Sequence, residues 1–224
     1  MSPLGVLLLG FVLGVRHATD ADHVVAVSTI VSRRGEMRAA GLVGAAWGAG
    51  HTLTIVVVGG AIVLFSLAVP PRLGLAMEFA VAVMLVVLGV ANLAGRERAH
   101  AHADRGQDDD HRLVAQLARP LGVGVVHGLA GSAAIALLVV TTIRSPGVAL
   151  LYLLLFGWGT IVGMAMLTSV IALPFAMTAN RFARFHRTIV QASSLASIGL
   201  GVFLAYKIGI ADGLFTGAAR WTPE

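Results

Sequence analysis

The chain of 224 residues is 57% hydrophobic and only 12% charged, far more apolar than the roughly 45–50% of a soluble domain, and it reads as an integral membrane protein. It has no cysteine, which excludes disulfides, thiolate metal ligands and thiol redox chemistry. The net charge of +5 comes from 16 Lys+Arg against 11 Asp+Glu, and the positions of the arginines point to membrane topology, with no nucleic-acid partner.

A spanning helix needs about 20 mostly apolar residues. Stretches of that kind lie near 3–31, 40–68, 73–94, 119–143, 147–174 and 188–211, which predicts an all-α protein with six transmembrane helices in the lipid bilayer. The apolar runs are long and unbroken, unlike the alternating stretches of about ten residues in a β-barrel. The opening MSPLGVLLLGFVLGV lacks a basic leader and its run continues to Val31, so it reads as a span and not as a cleaved signal peptide.

The first span is interrupted by RHATDADHVVAVST, residues 16–29, which carries Arg16, His17, Asp20, Asp22 and His23. Arginine or aspartate at a helix centre costs roughly 2.5–3.5 kcal/mol, so Arg16, Asp20 and Asp22 together cost on the order of 8–10 kcal/mol unless compensated. Arg16 and Asp20, four apart, are placed to pair on a helix. On a straight helix His17, Asp20 and His23 share one face about 120° wide, while Asp22 points elsewhere. Either the helix is broken here, as transporter helices often are at binding sites, or Asp22 serves a neighbouring helix as acceptor for a ligating histidine.

The second span contributes His51 in WGAGHTLTIVVV, and the fourth contributes His127 in GVGVVHGLAGSAA. Four histidines on three helices beside carboxylates suit a borderline divalent transition metal such as Ni²⁺, Co²⁺ or Zn²⁺. Ca²⁺ and Mg²⁺, which want oxygen ligands, fit less well. The metal candidates are therefore His17, Asp20, Asp22, His23, His51 and His127.

Arginines cluster after the first span (Arg33, Arg34, Arg38), between the third and fourth (Arg96, Arg98, Arg105, Arg112, Arg119) and between the fifth and sixth (Arg181, Arg184, Arg187). The positive-inside rule makes those connections cytoplasmic and both termini external, in what would be a bacterial inner membrane. Residues 1–212 form one transmembrane domain, followed by a short tail at 213–224. Within it, 1–95 and 116–212 echo each other at an offset near 110: Gly14-Val15-Arg16-His17 with Gly124-Val125-Val126-His127, Gly48-Ala49-Gly50 with Gly157-Trp158-Gly159, and Leu88-Gly89-Val90 with Leu200-Gly201-Val202. Three helices per copy make this an inverted repeat, the arrangement that places a midplane site between two halves.

The hydrophilic stretch 96–115 joins the halves. His100, His102 and His111 with Asp104, Asp108, Asp109 and Asp110 form either a solvated linker or a weak metal-collecting tract. Glycines four apart at Gly10/Gly14, Gly44/Gly48, Gly124/Gly128 and Gly159/Gly163 let helices approach closely. That would draw the histidines together, and the same faces offer a surface for a homo-oligomer.

RHATDADH resembles the signature of the nickel/cobalt transporter (NiCoT) family, whose core of His, four residues, Asp, His falls on His17, Asp22 and His23. GHTLTIVVVG is similar to that family's second-helix motif at Gly50, His51 and Thr52, and VHGLAGSAA, residues 126–134, resembles the shorter, UreH-like branch of nickel permeases associated with urease maturation. The resemblance implies transport of Ni²⁺ or Co²⁺ as substrate, with no permanently bound cofactor and no enzymatic activity. His17, Asp22 and His23 would be central to recognition. Longer members carry the signature in their second helix; the loss of one leading helix agrees with an external N-terminus.

Further pathway or coupling candidates are Arg16, Thr52, Glu78, Ser132 and Gln191. A divalent cation moving inward through 100 mV gains roughly 4.6 kcal/mol, so uptake can run on the potential alone, whereas an exporter needs coupling, for example to protons through histidine. A haem-bearing redox protein would need two histidines facing one macrocycle, and an intramembrane metalloprotease would need an HExxH motif, which does not occur.

Overall fold

Apolar runs rich in Leu, Val and Ala leave no partner for backbone polar groups in lipid except the helix's own, and every regular element among the described residues is helical. The computed structural model describes residues 3–32, 37–65, 67, 69–95, 109–129, 142–143, 145–179, 183–217 and 219–221. In chain order the elements are α1 (Pro3–His17), α2 (Ala21–Val31), α3 (Met37–Phe65), α4 (Pro71–Leu93), α5 (Asp109–Gly128), α6 (Pro146–Ala179) and α7 (Ala183–Tyr206). A π-helical turn, Lys207–Ala211, closes α7. Pro71 opens α4, where its missing N–H costs nothing, and Gly95 just beyond it takes φ +70, the left-handed geometry that ends helices at glycine.

Four stretches are long and apolar enough to cross a membrane: Ala40–Phe65, Pro71–Leu93, Pro146–Met177 and His186–Ala211. Leu4–His17 and Ala21–Val31, bent by 52°, make a fifth when counted as one broken span. The chain is thus an all-α, multi-pass membrane protein among its described residues. Of the expected span at 119–143, α5 carries the first part to Gly128, and residues 130–141 lie outside the described ones. The expected loop at 96–115 is helical from Asp109 onward.

α1 runs along α6, α5 along α3, α3 along α6, and α4 along α7. The glycines explain how closely. A Cβ on Gly14 would run into the Phe156 carbonyl and one on Gly159 into the Phe11 carbonyl. Across α3 and α5, a Cβ on Gly124 would strike the Trp47 carbonyl and one on Gly50 the Leu121 carbonyl. The two sets of contacts repeat at an offset of about 110 residues. All eight glycines of the four-apart pairs face residues of this same chain, so they serve packing within it and do not support a role in a homo-oligomer.

α2, α4 and α7 meet around Asn92, which is 2% exposed. Its Nδ2 donates to the Thr29 carbonyl at 3.1 Å and to the hydroxyls of Ser32 at 3.0 Å and Ser194 at 2.9 Å. Asn92→Ala leaves buried acceptors without their donor and is expected to cost about 1–3 kcal/mol, measured as a lower midpoint of thermal unfolding in detergent.

Candidate metal site

The apolar first span does not remain one straight helix through RHATDADH. α1 stops at His17, Ala18–Asp20 form a turn, and α2 restarts at Ala21 with Asp20 as its extended N-cap residue. The break puts His17 at the C-terminal end of one helix and Asp22 and His23 in the first turn of the next. His127, in the last turn of α5, is brought to the same place, and His51 enters from the middle of α3. Helix C-termini carry partial negative charge, so two of them, α1 and α5, end in a histidine at one point.

The four histidines are buried, with His23 and His127 at 0% exposure. Ring centroids lie 4.7 Å apart for His17 and His23, 5.0 Å for His17 and His51, 5.2 Å for His23 and His51, and 4.3 Å for His23 and His127. Potential ligand atoms fall into two overlapping groups, His17/His23/His51 and Asp22/His23/His127, each with its atoms within 4.8 Å of one another.

Hydrogen bonds define which nitrogens are free to bind. A carboxylate only accepts, so His17 Nδ1–H donates to Asp20 Oδ2 at 2.8 Å, which leaves Nε2 with its lone pair. That lone pair accepts from His51 Nε2–H at 2.9 Å. Asp22 Oδ1 accepts from the His23 backbone N–H at 3.0 Å and from His23 Nδ1–H at 3.2 Å. Asp22 Oδ2 accepts from His127 Nε2–H at 3.0 Å. His23 Nε2, His51 Nδ1 and His127 Nδ1 are buried without a partner. Buried polar atoms are seldom left so, and three imidazole nitrogens in one cluster are a ready set of donors for a cation.

All six metal candidates therefore converge. Both readings of Asp22 hold together: the helix is broken, and Asp22 reaches a histidine of another helix. The expected Arg16–Asp20 pair does not form; the break ends the i,i+4 register, Asp20 turns to His17, and Arg16 is exposed at the end of α1. Thr52, next to His51, donates to the Gly157 carbonyl at 3.1 Å and so ties α3 to α6. Glu78 accepts from Trp221 Nε1–H at 2.8 Å, a link from α4 to the C-terminal tail. Gln191 is exposed on α7. Ser132, His100 and His102 lie outside the described residues, and His111 is in the first turn of α5.

Two aromatic residues not singled out by sequence belong to the site. Trp47 stacks on His23 with centroids 5.9 Å apart and meets His127 edge-on at 5.6 Å, while Phe156 lies 5.5 Å from His17. Trp47 precedes His51 by four residues, one helical turn, which was the available signal.

Compared with known proteins, the chain is 36% identical over 218 residues to the urease accessory protein UreH of Bacillus sp. (strain TB-90), an alignment covering 95% of each chain. No family model and no solved structure matches.

Proposed function

The chain belongs to the family of the urease accessory protein UreH, and from that premise we propose that it carries Ni²⁺, or the chemically close Co²⁺, inward across the membrane. Urease accessory proteins serve an enzyme and are not named for catalysis themselves, which agrees with a chain in which the groups of potential metal ligands found among the described residues are buried or partly buried between its helices. The observation that carries the reading is the convergence of His17, His23 and His51 with both aspartates at a helix break. Half-helix ends and buried imidazoles together replace the hydration shell of a cation.

Distances favour a small ion. With metal–imidazole bonds of about 2.0–2.1 Å, two donors at a right angle stand about 2.9 Å apart, and at a tetrahedral angle about 3.4 Å. His17 Nε2 and His51 Nε2 are 2.9 Å apart, so once His51 carries its proton on Nδ1 both nitrogens can contact one ion set to the side of the line that joins them. A haem does not fit, because imidazole rings already in mutual contact leave no room for a macrocycle between them.

Six spans in two inverted three-helix halves, with both termini outside, remain the proposed topology. The repeated glycine contacts support it. The hydrophilic connection from 96 to 108 would then face the cytoplasm, where its histidines and aspartates can collect metal.

The test is uptake of ⁶³Ni²⁺ into proteoliposomes with an inside-negative potential imposed and then removed. Wild-type protein is expected to accumulate the ion only with the potential present, and His17→Ala is expected to remove that accumulation. Flux that needs a proton gradient and runs outward would replace uptake by proton-coupled export; no flux of Ni²⁺ or Co²⁺ in either direction would overturn the metal reading.

A further inference from the structure

We propose that Asp22 and His127 are positioning residues: they form a bridge through which the second half of the chain holds the metal-binding imidazole of His23, while the bound ion is held by His17, His23 and His51. This inference rests on the transport reading above and divides the recognition cluster into ligands and the groups that aim them.

Both oxygens of Asp22 are already engaged. Oδ1 takes the backbone N–H and the Nδ1–H of His23, and Oδ2 takes Nε2–H of His127, 105 residues away. A carboxylate bound in this way to the far nitrogen of an imidazole fixes its tautomer and its orientation and makes the near nitrogen a better ligand. For His23 the near nitrogen is Nε2, which is buried and without a partner. Asp20 does the same for His17, leaving Nε2 toward His51. The two aspartates thus have equivalent jobs on the two histidines of the broken span, and the ligand atoms of His17, His23 and His51 lie within 4.8 Å of one another.

His127 differs from His17 in what it touches. At an offset of 110 residues it stands where His17 stands in the first half, but Asp20, Asp22 and His23 are replaced there by Ala130, Ser132 and Ala133. With no carboxylate at those positions of its own half, His127 reaches Asp22 in the other. Trp47 covers both rings, stacked on His23 and edge-on to His127, which buries the two imidazoles, while the Asp22 side chain between them stays 18% exposed. Any shift of the α5 terminus against α2 must therefore be felt at His23, so the bridge couples relative movement of the halves to the hold on the ion. The rival arrangement makes His127 a fourth ligand through its unpartnered Nδ1.

The experiment uses full-length protein in detergent with Ni²⁺ as the probe, reading the dissociation constant by equilibrium dialysis and the number of imidazole donors by X-ray absorption. The variants are His127→Ala, His127→Gln and Asp22→Asn. Wild type is expected to show three imidazoles. His127→Ala and Asp22→Asn should bind about 10–100-fold more weakly with the donor count unchanged at three. His127→Gln, whose amide N–H can still donate to Asp22, should recover most of the affinity, which also guards against a folding defect in the alanine variant. Four imidazoles in wild type falling to three in His127→Gln, or a carboxylate ligand lost in Asp22→Asn, would overturn the proposal and leave the transport reading intact. Wild-type affinity in His127→Ala would overturn it equally. Failure of the wild type to bind Ni²⁺ at all would bring down the transport reading and this inference with it.

Discussion

His23→Ala is expected to lower ⁶³Ni²⁺ accumulation in proteoliposomes to that of protein-free vesicles, with the amount of folded protein in the membrane unchanged. His23 is 0% exposed and its ring touches those of His17, His51, His127 and Trp47. It is also the one residue common to both groups of potential ligand atoms. Loss of a group that only orients a ligand costs about 10–100-fold in metal affinity or activity, so loss of a shared ligand should exceed about 100-fold. Stability should respond far less. An unpartnered buried polar atom costs about 1–3 kcal/mol, and His23 Nε2 is such an atom. His23→Leu fills the space without that penalty but also removes the Nδ1–H that Asp22 Oδ1 accepts, so the two effects offset and the variant should melt near the wild-type temperature while transporting nothing. His186→Ala, on α7 against Phe175 and away from the cluster, should transport normally. Retained accumulation in His23→Ala would remove the helix break from the ion's route.

The parts of this molecule that were legible in its sequence are those where physics leaves few choices. Apolar runs of membrane length fold as helices, and ionisable side chains in one of them call for polar partners, so His17, Asp20, Asp22 and His23 could be grouped as one candidate cluster before any coordinates. His51 and His127 followed from the same scarcity of polar groups in lipid. What failed was geometry across the break. The helical wheel assumed one straight axis through residues that bend by 52°, and the Arg16–Asp20 pair assumed a register that ends at Ala18. Trp47 and Phe156 escaped notice because an aromatic ring beside a site and one in a core have the same sequence signature. The contact of Glu78 with Trp221, 143 residues away, was not legible either, because nothing local announces it.

Gly14→Val and Gly124→Val are expected to lower stability by about 3 kcal/mol or more, the upper end of what overpacking costs, because in each case the obstacle is backbone. At Gly14 the new Cβ meets the Phe156 carbonyl and at Gly124 the Trp47 carbonyl, and neither can rotate away as a side chain would. The helices must then separate, α1 from α6 and α5 from α3. His17 lies one helical turn beyond Gly14 and His127 one turn beyond Gly124, so separation also pulls imidazoles away from positions that metal binding requires within about 0.5 Å. Uptake should fall together with the unfolding midpoint. Gly199→Ala supplies the contrast: its Cβ would meet nothing within 4 Å, and alanine in a helix interior is favoured over glycine by roughly 0.5–1 kcal/mol, so this variant should be slightly more stable with full uptake. Comparison of the two valine variants carries further weight. If the halves are copies packed in the same way, Gly14→Val and Gly124→Val should cost alike, since each removes one of two matched contacts. A large penalty at one and none at the other would mean that the contacts only look alike and that the halves bear unequal loads, with the site held by one of them alone.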